Sequence, residues 1–139
     1  MSAIDEININ LMKNLLTIFI LLFTVMIPST SFAEWTRVTG NDKGDVYHVD
    51  FERIREHDGY VYFWGLRDNL KPDEFGDLSG KIYKEGDCKL FRFKSLSYSF
   101  HKEPMGGGTG DVSEPVKKGW KYPSPDSIRE AILKKVCKH

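Results

Sequence analysis

The chain has 139 residues, with 20 basic side chains against 20 acidic ones and 40% hydrophobic residues. That length suits one domain, and the neutral balance supplies no global field to recruit nucleic acid. Two cysteines and four histidines offer little from which to build a metal centre.

Residues 15–27 read LLTIFILLFTVMI, an apolar run with Lys13 before it and Pro28 after it. Ser31-Phe32-Ala33 then places small residues at the two positions a signal peptidase requires. A basic start, a short apolar core and a small-x-small exit predict a secretory leader over 1–33, cleaved to leave Glu34 first. A membrane span needs about 20 apolar residues, so no span is expected once the leader is removed. Asp5 and Glu6 have the wrong sign for the start of such a leader, whereas MKNLLTIFILLF, beginning at Met12, is well formed. Translation is therefore expected to start at Met12. Removing 1–33 takes Asp5, Glu6 and Lys13, leaving a net charge of +1 on a single domain over 34–139.

Residues 35–38 suit a short first strand, and Gly40-Asn41-Asp42-Lys43-Gly44-Asp45 reads as a turn. Over 46–51 the residues alternate, with Tyr47, Val49 and Phe51 on one face and His48 and Asp50 on the other. Period two marks a half-buried strand, which makes His48 and Asp50 solvent-facing. A polar connection over 53–58 ends at the Asp58-Gly59 turn signal. Aromatic and β-branched residues over 60–66 suit a central strand, its core face carrying Tyr60, Tyr62, Trp64 and Leu66. Lys71-Pro72-Asp73 and Gly76-Asp77 mark a loop. Two strands follow, 79–85 and 87–98, joined at Glu85-Gly86-Asp87, with a bulge or twist where the alternation slips between Leu90 and Phe91. Residues 105–113 (MGGGTGDVS) read as a flexible loop, and 120–122 as a last short strand.

The C-terminal segment changes period. Ser124 offers an N-cap with Pro125 at the first helical position. Ile128, Ala131, Ile132 and Val136 recur at helical spacing, and Leu133 and Cys137 widen the stripe. Asp126 and Glu130 come early and Lys134, Lys135 and Lys138 late, as the helix dipole favours. The fold class expected is α+β: an antiparallel sheet with a C-terminal helix. An isolated cysteine pair in an oxidising compartment is most simply an internal disulfide, with free thiols or an intermolecular bridge as the alternatives. Joining Cys88 to Cys137 closes a loop of about 50 residues and on the chain-entropy model stabilises the fold by about 4 kcal/mol.

No stretch carries catalytic chemistry. There is no Gly-x-Ser-x-Gly elbow to expose a nucleophile, and His48 with Asp50 makes two ligands, not a metal site. Gly106-Gly107-Gly108-Thr109-Gly110 lacks the Lys-Ser/Thr pair and opens no helix, so it does not cradle phosphate. Neither enzymatic activity nor a cofactor is expected. The charged feature that stands out is Lys81, Lys84, Lys89, Arg92 and Lys94 within one predicted hairpin, offset by Glu85 and Asp87. These form a candidate patch for a protein or acidic glycan partner, set against the plainer role of guarding strand edges from aggregation. Oligomeric state stays open, since a free sheet edge permits pairing without requiring it.

In order along the chain, Glu34-Trp35-Thr36-Arg37-Val38, residues 46–54 (VYHVDFERI) followed by Gly59, residues 61–68 (VYFWGLRD), Asp87-Cys88, Met105-Gly106 and Val136-Cys137 resemble the surface-adhesin protein E family. These are small exported proteins of Gram-negative bacteria. The resemblance implies an antiparallel sheet, a helix tied to it by a Cys88–Cys137 disulfide, and binding of host matrix or serum proteins. Display on the outer surface there uses a lipid on a cysteine just after the leader. This chain has Glu34 at that place, which points equally to a soluble periplasmic accessory protein that binds another envelope component.

Overall fold

The structure, a computed structural model, describes residues 2–24, 33–115 and 118–139. The chain divides into two units, Met1–Phe32 and Ala33–His139. The first holds helix α1, Ala3–Thr24, with Asp5 and Glu6 in its first turn and Ser2 bonded to the Asp5 carboxylate through both its N–H and its hydroxyl. No helix among the described residues is long and apolar enough to cross a membrane. The end of the apolar run beyond Thr24, and Ser31-Phe32 of the expected cleavage exit, lie outside the described residues.

The second unit is a seven-stranded antiparallel sheet with one helix: β1 Trp35–Gly40, β2 Val46–Asp50, β3 Arg55–His57, β4 Tyr60–Asp68, β5 Ser79–Asp87, β6 Arg92–His101, β7 Gly110–Ser113 and α2 Ile128–Val136. The sheet order is β1-β2-β4-β5-β6-β7, with β3 also paired to β4. A 3₁₀ turn at Phe51–Arg53 joins β2 to β3, and the two strands lie end to end along one edge of β4, pairing with residues 65–68 and 60–62 respectively. Asp58 and Gly59 close the β3–β4 hairpin with φ of 50° and 80°, the doubly left-handed pair that a tight two-residue hairpin demands.

The core lies where α2 crosses the sheet. Val49, Phe63, Ile132 and Val136 form its centre, with Val38, Phe51, Ile54, Val61 and Ile128 packed around them. Leu133 is buried too. Its approach to β5 is so close that a Cβ on Gly86 would stand 3.2 Å from the Leu133 methyl and 2.9 Å from Val61. Cys88, just beyond β5, is bonded to Cys137 at the end of α2 with Cα atoms 5.6 Å apart. The helix is thus held by apolar contacts along its length and by a covalent tie at its end. The expected α+β class, the apolar stripe of α2 and the disulfide are all present.

Several local expectations give way. The core face of β4 is the odd one: Val61 and Phe63 meet α2, while Tyr60, Tyr62 and Trp64 stand half-buried on the opposite face. Leu66 is buried on that opposite face. His48 and Asp50 are buried, not solvent-facing, because Trp35 and Arg37 of β1 sit opposite them on one side and Leu66 opposite His48 on the other. The β5–β6 turn falls at residues 88–91, not at 85–87, with Phe91 at φ 51°. The irregularity in the ladder is displaced as well: Tyr83 pairs with Ser97 and Lys84 with Ser95, leaving Leu96 as the extra residue. The loop expected over 105–113 holds a 3₁₀ turn at Pro104–Gly106 and strand β7. Of 120–122 only Lys121 pairs, as a single bridge to Phe93. Finally, α2 is capped by Ser127, whose hydroxyl accepts from the Glu130 N–H, rather than by Ser124. Asp126 at φ 59° separates the two serines, and Ser127 with Glu130 forms the S-x-x-E pattern of a capping box.

Candidate functional site

Residues paired across antiparallel strands share a face, so the ladder fixes what lies opposite α2. Tyr62, Glu85 and Lys94 form one row, Trp64, Tyr83 and Ser97 the next, and Leu66, Lys81 and Ser99 the one after. The rows carry a band of aromatic rings. Trp64 stacks on Tyr83 with centroids 4.8 Å apart, and Tyr62 lies 6.3 Å from Tyr83. Lys121 exchanges two backbone hydrogen bonds with Phe93, which fixes the preceding residue, Trp120, over the same face. The Trp120 ring lies 5.3 Å from Tyr60 and covers the Arg92 guanidinium at 4.5 Å and the Lys94 ammonium at 4.7 Å. All five rings are half-buried, one side anchored and the other open. Beside Trp120 a cleft of about 410 Å³ is lined by Lys94 and Leu96 of β6 and by Glu114, Pro115 and Lys118 from beyond β7, among others.

The cations of this band are held from below. Arg92 bonds Asp87 at 2.9 Å and Lys94 bonds Glu85 at 2.7 Å, each carboxylate nearly buried and each cation more exposed. The same layering recurs at Arg53 over Asp50, Arg67 over Asp45 and Lys102 over Asp77. The Leu90 N–H, opposed by burial and aided by Arg92, holds the Asp87 carboxyl below its ordinary range. Burial and the Glu85 carboxylate push the Tyr62 phenol up, against Lys94. At Asp45 burial alone would raise the carboxyl, but Asn41, the Leu70 N–H and Arg67 together bring it below the usual value.

The five basic residues singled out in the sequence fall in different places. Arg92 and Lys94 are part of the aromatic band. Lys81 shares its face but lies under Gly106, packed so closely that a Cβ added there would collide with the Lys81 side chain. Lys89 is exposed in the β5–β6 turn. Lys84 points to the other face, opposite Phe63 in the ladder; it is 8% exposed and has the Phe93 ring 5.1 Å from its ammonium. Burial, with Arg129 and Lys121 adding repulsion, pushes its pKa down to about 8. The aromatic members went unassigned as a site because Tyr60, Tyr62 and Trp64 read as core. Among the described residues no group of three or more His, Cys, Asp or Glu is placed to hold a metal ion.

Residues 35–138 match the family model for surface-adhesin protein E. The chain belongs to the surface-adhesin protein E family. Solved structures of Haemophilus influenzae protein E share the family fold. Crystal form II superposes with a TM-score of 0.61 at 19% identity, covering 80% of this chain and 92% of that one. The selenomethionine form gives 0.60 at 19%, covering 80% and 91%. A further structure, of protein E from non-typeable Haemophilus influenzae, gives 0.52, also at 19%, covering 80% and 77%. At that identity the likeness speaks for the fold. No curated protein sequence matches significantly. The matched segment of this adhesin E chain begins at the first residue of β1 and ends just beyond the disulfide.

Proposed function

We propose that this adhesin E family member is an exported, non-enzymatic binding protein: residues 1–33 are a cleaved leader, and the domain over 34–139 takes a host matrix or serum protein on the aromatic band opposite α2. The observation that carries the reading is the band itself. Tyr, Trp and Arg are the side chains most enriched where binding energy concentrates, and here Tyr60, Tyr62, Trp64, Tyr83, Trp120 and Arg92 stand on one sheet face. Stacking and the ion pairs below hold them in place, which lowers the ordering cost of association. Arg92 and Lys94 are already neutralised from beneath, so binding is expected to weaken only mildly with salt.

Biolayer interferometry of the 34–139 domain over immobilised matrix and serum proteins tests this. Trp120→Ala and Tyr83→Ala are expected to lower affinity by about tenfold or more while the thermal transition is retained. Variants that bind as the wild type does would remove the band from the reading. A second reading is a soluble periplasmic accessory protein serving another envelope component. Its support is that both cysteines are spent on each other, so neither carries a lipid. Protease treatment of intact cells separates the two: digestion favours surface display, protection the periplasm.

A further inference from the structure

Strand β1 ends the sheet. Its inner side pairs with β2, and residues 35–40 make no backbone hydrogen bond to any other described segment. Along this outer edge runs a groove shared with α2. One part, of about 440 Å³, is lined by Thr36, Arg37, Val38, Phe51, Lys135 and Lys138, with His139 at its end. A second, of about 260 Å³, adds Ala131 and Lys134 and shares Val38, Lys135 and Lys138 with the first. The floor is apolar, from Val38, Phe51 and Ala131. The rim is cationic. Lys134 is bridged to Glu130 at 3.1 Å, but Arg37, Lys135 and Lys138 have no ion pair within the described residues, and no Asp or Glu side chain lines either part.

We propose that this groove takes an extended acidic polypeptide segment that adds to β1 as a further strand. Strand addition satisfies the unpaired edge with main-chain hydrogen bonds, and pockets beneath alternate side chains supply selectivity. Carboxylates at alternate positions of the incoming strand would meet Lys135 and Lys138, their methylene stems crossing Val38 and Phe51, while the intervening side chains lie on the other face of the sheet. The six residues of β1 offer an edge of about 20 Å, the length of a six-residue strand. Lysines on an edge and a bulge within it are devices that discourage indiscriminate pairing. This edge has the bulge, between Arg37 and Thr39, and the lysines stand beside it, in and just beyond α2. The cationic stretch lies alongside Thr36 to Val38, while at Thr39 and Gly40 the edge continues past Asp126 and Glu130; a basic strand is disfavoured on the first stretch, and a short acidic one is the compatible guest there. The site lies on the opposite side of the sheet from the aromatic band and does not depend on it. The Cys137–Cys88 bond anchors the end of α2 and hence the position of Lys138.

The test uses the 34–139 domain, whose sheet, core and disulfide lie within one unit. A fluorescein-labelled peptide of about eight residues, alternating glutamate and valine, is titrated by anisotropy. Its partners are the same peptide N-methylated at alternate residues and one with lysine in place of glutamate. The glutamate peptide is expected to bind, the other two to bind at least about tenfold more weakly. A Lys135→Glu/Lys138→Glu double variant, both positions exposed, one on α2 and one just beyond it, is expected to lose binding about tenfold or more, whereas Trp120→Ala is expected to leave it unchanged. Amide exchange at residues 35–40 is expected to slow when the peptide is present. Equal binding of the N-methylated and plain peptides would overturn strand addition in favour of simple charge attraction. No binding, or loss of binding to a self-associated form seen by sedimentation, would overturn the acidic guest altogether.

Discussion

Phe63 and Trp64 are neighbours on β4, yet they belong to opposite halves of the molecule. Phe63 is 1% exposed and wedged beneath α2 with Val49, Ile132 and Val136. Trp64 faces the other way, stacked on Tyr83 and partly open to solvent. The helix side is mostly apolar, aliphatic residues packed with Phe51 and Phe63, and closed by a disulfide; the far side is aromatic and ionic, with buried carboxylates supporting more exposed cations. The contrast teaches a division of labour: one face supplies the burial that makes the fold stable, and the other can keep rings half-exposed because stability does not rest on them.

The largest effect should come from comparing those two neighbours. Phe63→Ala empties the centre of the core and is expected to cost about 4 kcal/mol. Trp64→Ala is expected to cost about half that or less, since its ring is only partly buried. Urea unfolding of both variants measures the difference, and equal costs would dissolve the division. Reducing the Cys88–Cys137 bond is expected to remove a comparable amount, about 4 kcal/mol on the chain-entropy model. Because the bond ends α2, helical circular dichroism should fade before the near-ultraviolet signal of the aromatic band; simultaneous loss would join the two faces into a single unit.

The smallest effect concerns Lys84, a buried charge on the helix side. Its folded pKa of about 8 lies below the ordinary 10.5, so between these values the unfolded chain binds more protons than the folded one. Stability should therefore rise with pH from about 8 to 10.5, and the cost of the charge should be fully present below that window. Lys84→Met keeps the length without the charge. It is expected to raise stability at neutral pH by about 2 kcal/mol and to flatten the alkaline rise. A variant that melts earlier than the wild type would mean the ammonium is stabilised by its neighbours rather than penalised.

The sequence made the helix legible through one stripe, Ile128 to Cys137, because period 3.6 there has no competitor. It also marked the Asp58-Gly59 hairpin, whose backbone demand few residues meet. The orientation of β4 was not legible by apolar bulk: Tyr60, Tyr62 and Trp64, with Leu66, present more ring and side-chain area than Val61 and Phe63. Their phenol and indole groups were the overlooked signal, since such rings favour places with one wet side. His48 and Asp50 misled in the opposite direction. Polar residues alternating with apolar ones suggest an open face, but large neighbours on β1 and β4 roof them over. The site itself needed the third dimension, because Trp120 reaches Tyr60 and Arg92 from a distant segment through the single Lys121–Phe93 bridge.

Surface positions ordinarily drift freely, since most exposed substitutions cost little. Arg53, Arg67, Arg92, Lys94 and Lys102 do not have that liberty. Each caps a carboxylate that is 9% exposed or less, and losing the cap leaves a nearly buried acid without its counter-charge. In a saturation library these five outer sites should therefore tolerate as few replacements as interior ones, so the molecule's outward charge is set first by what lies beneath it.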